Sequence, residues 1–413
     1  MAKVAGRFAR VEPRRRARAF VLGLLADLPR KNCWTIAEHA GDASPAGMQH
    51  LLSRASWDAD QVRDDVREFV VAHLREEDAV LVVDETGDLK KGTHSVGVQR
   101  QYTGTAGRIE NSQVAVYLAY ATTAGHAAID RRLYIPRSWT QDPDRCRAAG
   151  IPEGLKFATK PALATQMIAQ ALDAGVPAGW VAGDEVYGGD PHLSAELESR
   201  RIGYVLAVSR KRPVPTRAGV FRAGNLAHGL PKRAWQRLSA GAGAKGHRFY
   251  DWAQVEIHTP ECSGYRWLLV RRNRRTGELA FYRCYSPHSV PLSTLVKVAG
   301  RRWTVEETFQ AAKGLAGLDE HQVRRWTSWH RWTTLAMLAH AFLAIAAATE
   351  RTVSSPPTGL VPLTCSEIRR LFTTLLPRPT RDLAHHLRWS TWRRRHQARA
   401  RTSHYQRQAA QQP

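Results

Sequence analysis

A mixed α/β fold is what this sequence predicts: a β-sheet covered by helices, an added β segment, and helical regions at both ends. Three observations carry that prediction. Short apolar runs end abruptly in acid, VLVV before Asp84 and WVAG before Asp184. Between such runs the apolar period changes from two to three and four, as in KPALATQMIAQALDAG (residues 160–175). Three strand-like runs come first, followed by helix and strand in alternation, an order that gives a mixed sheet with helices on its faces.

In residues 1–78, FVLGLLADL, MQHLLSRASW and QVRDDVREFVVAHL all repeat apolar residues at helical spacing, with turns at PRKN and GDASPAG. This predicts a helical N-terminal domain. Residues 79–209 read as the first part of the sheet core. AVLVVD is a central strand, SVGVQRQYT and SQVAVYLAYAT are joined by the hairpin-like GTAGRIEN, and IGYVLAVS closes the series after the helix PHLSAELESRR. Residues 210–298 lose the helical period. HRFYDWAQVEIH, YRWLLVRR and LAFYRCY predict an inserted antiparallel segment, with Trp252 and Trp267 either packing the sheet or stacking on an unpaired base. In 299–350 the core resumes with the helix RRWTVEETFQAAKGLAGL and the apolar TLAMLAHAFLAIAAA. The latter is shorter than a bilayer span and contains His340, so it reads as a core helix. Residues 351–413 form a basic C-terminal region.

The charge narrows the partner. Sixty-one Lys and Arg against 37 Asp and Glu give a net charge of +24 over 413 residues. Such an excess favours a polyanion, and nucleic acid before membrane, because the arginines are spread along the chain rather than gathered beside one apolar helix. Five scattered cysteines without a C-x-x-C pair argue against a disulfide framework or a zinc module and fit a reducing cytoplasm. The basic-then-apolar start RRRARAFVLGLLADL carries Asp27 soon after and lacks a small-residue cleavage pattern, so it reads as an amphipathic helix.

The chemistry gathers at the strand ends. Ligands of open α/β sheets collect at the carboxyl ends of strands, so neighbouring strands would bring Asp84 and Asp184 to one point. Hard divalent cations such as Mg²⁺ take oxygen ligands of this kind, and a third carboxylate is available from the helix in RRWTVEETFQAAK. Two such ions about 4 Å apart can activate water and stabilise both oxygens of a phosphodiester displacement. Lys90 and Lys91, which follow Asp84 closely, become candidate phosphate contacts. GAGAKG lacks the phosphate-loop pattern and reads as a tight loop, with Lys245 reaching toward DNA. Arg393, Arg394 and Arg395 lie in an arginine-rich stretch without acids, suited to the DNA backbone. His385, His386 and His396 have no metal-ligand spacing and read as surface residues.

DETGDLKKGTHSVGVQRQY, WVAGDEVYGG and RRWTVEETFQAAKGLAGLDEHQVR resemble the three acidic blocks of the insertion sequence 701 family of DDE transposases, relatives of the insertion sequence 4 group. The resemblance extends over nearly the whole chain. It implies a ribonuclease H-like core in which Asp84, Asp184 and Glu306 are the catalytic, metal-binding acids. The third block of the wider group reads Tyr, two residues, Arg, three residues, Glu, six residues, Lys. Arg302, Glu306 and Lys313 fit it, whereas Ala299 stands at the tyrosine position. On a helix Arg302, Glu306 and Lys313 would share one face, with both cations toward DNA phosphates. The implied activity is cleavage of transposon ends and strand transfer into target DNA with two Mg²⁺ or Mn²⁺ ions. The implied partners are double-stranded terminal repeats and target, bound by a homodimer or larger assembly in the cytoplasm, at the nucleoid. A catalytically silent DNA-binding protein and a structure-selective nuclease of the same core are the competing readings.

Overall fold

A computed structural model of the chain describes residues 1, 3–243, 246–259, 263–353, 359–375 and 381–410. Four helices come first: α1 (Val11–Leu25), α2 (Cys33–Ala40), α3 (Ala46–Ser53) and α4 (Ala59–Leu74). Asn32 and Asp58 cap α2 and α4 through side-chain oxygens, satisfying free backbone N–H groups at each start. These helices do not close a core of their own. Phe20, Leu24, Met48 and Val66 belong to one buried cluster with Leu118 of the sheet and Leu335 of a later helix.

The sheet begins with β1 (Val80–Leu89), β2 (Gln99–Thr103), β3 (Arg108–Ala121) and β4 (His126–Leu133). Small helices α5 (Arg137–Thr140) and α6 (Pro143–Ala149) lead to α7 (Lys160–Asp173), β5 (Trp180–Gly183), α8 (Glu185–Gly188), α9 (Pro191–Ser199) and β6 (Gly203–Val208). β1 runs antiparallel to β3 and parallel to β5, and β5 runs parallel to β6. β2 and β4 take successive stretches of the far edge of β3. The resulting order β4-β3-β1-β5-β6, three antiparallel strands followed by two parallel to the first, is the ribonuclease H-like arrangement.

β4 escapes a reading by period because HAAIDRRL carries three charges in eight residues. The structure resolves the conflict by pairing them. Buried Asp130 meets buried Arg63 of α4, and Arg131, 1% exposed, donates to Asp60 at 2.7 Å. The predicted insertion also differs. A ribbon of β7 (Pro213–Thr216) and β8 (Gly219–Arg222) and the helix α10 (Ala223–Gly229) precede β9 (Gln236–Gly243), β10 (Gly246–Glu256), β11 (Tyr265–Arg272) and β12 (Leu279–Ser286). β12 pairs with β6, so β9 to β12 lengthen the core sheet to ten strands. Trp252 and Trp267 are buried in this extension, which removes the base-stacking alternative for both.

α11 (Leu292–Arg301) and α12 (Thr304–Ala316) follow, then the 28-residue α13 (Trp326–Val353), α14 (Cys365–Leu375) and α15 (Leu383–Ala409). RRWTVEETFQAAK is therefore not one helix: it breaks at Arg302 and Trp303, where the Thr304 hydroxyl turns back onto the Arg301 carbonyl at 2.8 Å. α13 is apolar and long enough to span a bilayer, but 83% of its most apolar window is buried inside the protein, the mark of a core helix. His385, expected at the surface, is buried where α15 docks on α2 and bonds the Glu38 carbonyl at 3.1 Å.

Removing one partner of a buried ion pair strands the other without water. Asp130→Ala should lower stability by roughly 3–5 kcal/mol in urea unfolding; a loss of about 1 kcal/mol or less would mean Arg63 is served by its other neighbour, Asp64.

Candidate active site

The register of β1 on β5 sets Val83 opposite Gly183, which places Asp84 and Asp184 side by side at neighbouring parallel strand ends. There the two strands part. β5 stops at Gly183 and turns into α8, while β1 continues to Leu89 against β3 alone. This opens a crevice at the carboxyl edge of the sheet, where such folds hold ligands. Side chains alternate along a strand, so Asp84, Thr86, Asp88 and Lys90 share the face toward α12, and Glu85 takes the opposite face.

Burial, and then the neighbouring Asp184, push the Asp84 carboxyl up to about 7, against the pull of Arg302. Asp184 is raised as well, by burial and then by Glu85, although the Val186 N–H and Arg302 oppose the shift. One Asp184 oxygen caps α8 by accepting from Val186 N at 2.8 Å, so this residue is both a cap and half of the acid pair. Glu306 approaches from α12 and is 43% exposed. Between it and Asp84 lies the Arg302 guanidinium, 3.6 Å from Asp84 Oδ2 and 3.3 Å from Glu306 Oε1. Glu307 faces elsewhere: its carboxylate lies 3.4 Å from His126 Nε2, and the hydrogen bond to His126 holds it below the usual range.

The remaining cations are sorted by the same face. Lys313 donates to Thr86 Oγ1 at 2.8 Å and lies 3.7 Å from Asp88. Lys90 does not project from the surface as expected. Its ammonium turns inward to the His321 carbonyl at 3.2 Å and His321 Nδ1 at 3.4 Å, because position 90 continues the inward-facing row of β1. His321 Nε2 lies 3.0 Å from Asp88, which fits a neutral ring that donates to the carboxylate and accepts from the lysine. Burial holds His321 below its ordinary value, and burial opposes ionisation of Asp88 too. The His321 hydrogen bond, with Lys90 and Lys313, outweighs that and keeps the Asp88 carboxyl low.

Sequence reasoning missed Asp88 and His321. The first was findable from the period of two along β1; nothing in the sequence ties His321 to it. Lys91 is exposed, and Lys245 lies outside the described residues. Arg393 is paired with Glu38 at 2.6 Å, which leaves Arg394 and Arg395 exposed on α15, distant in sequence from the acids.

Among the described residues, no group of three His, Cys, Asp or Glu side chains is drawn close enough to enclose a metal ion. The donor set of Asp84 and Asp184 nonetheless suits a hard divalent cation. Burial and the neighbouring Asp184 raise the Asp84 carboxyl, a crowding that positive charge between the two acids relieves, and oxygen is the ligand such ions prefer. Glu306 is separated from the pair by Arg302, so a third ligand from α12 requires that guanidinium to move aside.

Residues 3–253, more than half of the chain, match the family described as DDE superfamily endonuclease. The chain belongs to that family. A narrower likeness is to the protein named "Probable transposase for insertion sequence element IS701" from Microchaete diplosiphon, 30% identical over 189 residues. That match covers 45% of this chain and 47% of the relative, about half the length of each. The cryo-EM structure of the piggyBac transposase synaptic complex with hairpin DNA aligns at a TM-score of 0.45 and 10% identity, over 92% of this chain and 76% of that one. A likeness this loose bears no weight for function.

An acid whose folded-state pKa lies above its unfolded value holds more protons when folded, so it costs stability as pH rises between the two. For Asp84 that window runs from about 4 to about 7. Asp84→Asn should therefore be more stable than the wild type at neutral pH, with the advantage shrinking toward pH 4. Melting curves across that range would refute the shift if the two proteins run parallel.

Proposed function

We propose that this chain is a DDE transposase that cuts DNA at the ends of a mobile element and joins the freed 3′-hydroxyl to target DNA. The observation that carries the reading is the register of β1 on β5, which sets Asp84 and Asp184 together at the crevice. The family membership supports the endonuclease half of it. Mg²⁺ or Mn²⁺, when bound, would supply the Lewis acid that activates water and stabilises the oxygens of the phosphodiester displacement.

In this reading Asp84 and Asp184 hold the cations, with Glu306 as the third ligand. Arg302, which meets carboxylates in this structure, carries a charge suited equally to a phosphate once a cation takes over its partners. Lys313, anchored by Thr86 and Asp88 on the same face, presents its charge to the DNA strand. Lys91, Lys245, Arg394 and Arg395 serve as further backbone contacts, as does Arg393 in addition to its pairing with Glu38. The helical region 1–78 takes part in recognising the element's ends. The core spans 79–209 and 299–350, the β segment 210–298 extends the DNA grip, and the basic region 351–413 completes it. Two or more copies assemble on double-stranded DNA in the cytoplasm, at the nucleoid.

Two experiments test this. Incubation with labelled end DNA, a target plasmid and Mg²⁺ should give joined product, and Asp84→Asn and Asp184→Asn should each abolish it while end binding is retained. Bound but unbroken DNA from the wild type would mean a silent binding protein, and cut but unjoined DNA a nuclease. The second separates two adjacent acids. Glu306→Gln should lose cleavage with little change in melting temperature, whereas Glu307→Gln, which loses only charge against His126, should keep most of it. Single-turnover cleavage decides; the reverse result would put the third ligand at Glu307.

A further inference from the structure

Glu85 follows Asp84 directly and, by the alternation of a strand, its side chain leaves β1 on the opposite face, although its charge still reaches Asp184. Both of its oxygens are taken. Lys160, the first residue of α7, donates to Oε1 at 2.7 Å, and the Tyr187 hydroxyl of α8 donates to Oε2 at 2.5 Å. Lys160 is itself set by the start of α7, where Thr159 caps the Ala162 N–H at 3.2 Å. Tyr187 is fully buried and sits three residues after Asp184 in the turn that Asp184 caps. That turn is wedged in place. A Cβ added at Gly188 would come within 1.9 Å of the Ala207 carbonyl oxygen of β6, and one at Gly183 would meet Tyr187 and Val83 at 3.1 Å.

β1 and β5 are hydrogen-bonded only up to Val83 and Gly183. Beyond that point the backbone does not hold Asp184 against Asp84, and the two carboxylates repel. The link that crosses the gap is Glu85 to Tyr187. It ties the residue beside the first acid to the turn that carries the second, on the face away from the crevice. Its negative charge adds to that of the acid pair, and Lys160 balances it.

We propose that Glu85, held by Lys160 and Tyr187, is a positioning residue that fixes the separation of the Asp84 and Asp184 carboxylates for cation binding. The proposal rests on reading these two acids as the cation-binding pair. Glu85 touches neither DNA nor the reacting atoms; it acts through the geometry of its neighbours. Partners of this kind, one step removed from the ligands, commonly govern metal affinity by about 10–100-fold.

The test uses the full chain and Mn²⁺ alone as probe, followed by its electron paramagnetic resonance signal, with melting curves and end-DNA affinity measured on each variant. Tyr187→Phe removes one oxygen, Glu85→Gln removes the charge, and Lys160→Met removes the counter-charge that Lys160→Arg keeps. Tyr187→Phe, Glu85→Gln and Lys160→Met should weaken Mn²⁺ binding by roughly tenfold or more, with DNA affinity unchanged and Lys160→Arg close to wild type. Variants that melt lower but bind Mn²⁺ as the wild type does would overturn the proposal, leaving the link as a structural tie. The titration needs no DNA reaction. A wild type that binds Mn²⁺ and leaves end DNA uncut would count against the proposed function, while the variants' affinities would still decide the role of Glu85.

Discussion

Two carboxylates on adjacent parallel strands, one residue past the last shared hydrogen bonds, are the constraint around which the molecule is arranged. Burial makes each harder to ionise; Asp184 adds to the shift of Asp84, and Glu85 adds to that of Asp184. Such a pair persists only if the surrounding structure over-determines it. The helix start at α8, the packing of Gly188 on β6, the Glu85 link and the Arg302 guanidinium all act on these two side chains. Positive charge is needed within reach, and in the structure described here Arg302 supplies it.

Much of this was legible in the sequence because it depends on local rules. An apolar run that ends in acid marks a strand delivering a carboxylate to an edge, and both such runs took their places in the sheet. The separation of Glu306 from Glu307 was equally readable, since neighbouring helical residues diverge by about 100°. β4 was not readable. Its charges look like a loop until their partners, Arg63 and Asp60, arrive from a helix more than sixty residues earlier. The break between α11 and α12 was hidden for a different reason: no proline marks it, and Gly300 is required there by close packing on Ala240. Lys90 deceived because two adjacent lysines look alike in sequence, while the alternation of a strand sends one inward and leaves the other outside.

The net charge of +24 has a similar division. Part of it is internal: Arg63, Arg131, Arg266 and Arg331 are nearly buried and serve carboxylates or backbone carbonyls. A count of basic residues therefore overstates what faces a partner. The far half of α15, with Arg394, Arg395, Arg399 and Arg401 exposed, is one place where the excess stands in solvent, and α1, with Arg14, Arg15 and Arg18 exposed, is another.

The pairing of β12 with β6 has a mechanical consequence. The strands from β9 to β12 continue the sheet that bears the acids through direct pairing of β12 with β6, so β9 and Asp84 belong to one ten-stranded sheet. A molecule gripped at β9 and β10 would therefore be tied to Asp84 through continuous backbone pairing, and not through the flexible joint that a separately folded domain would bring.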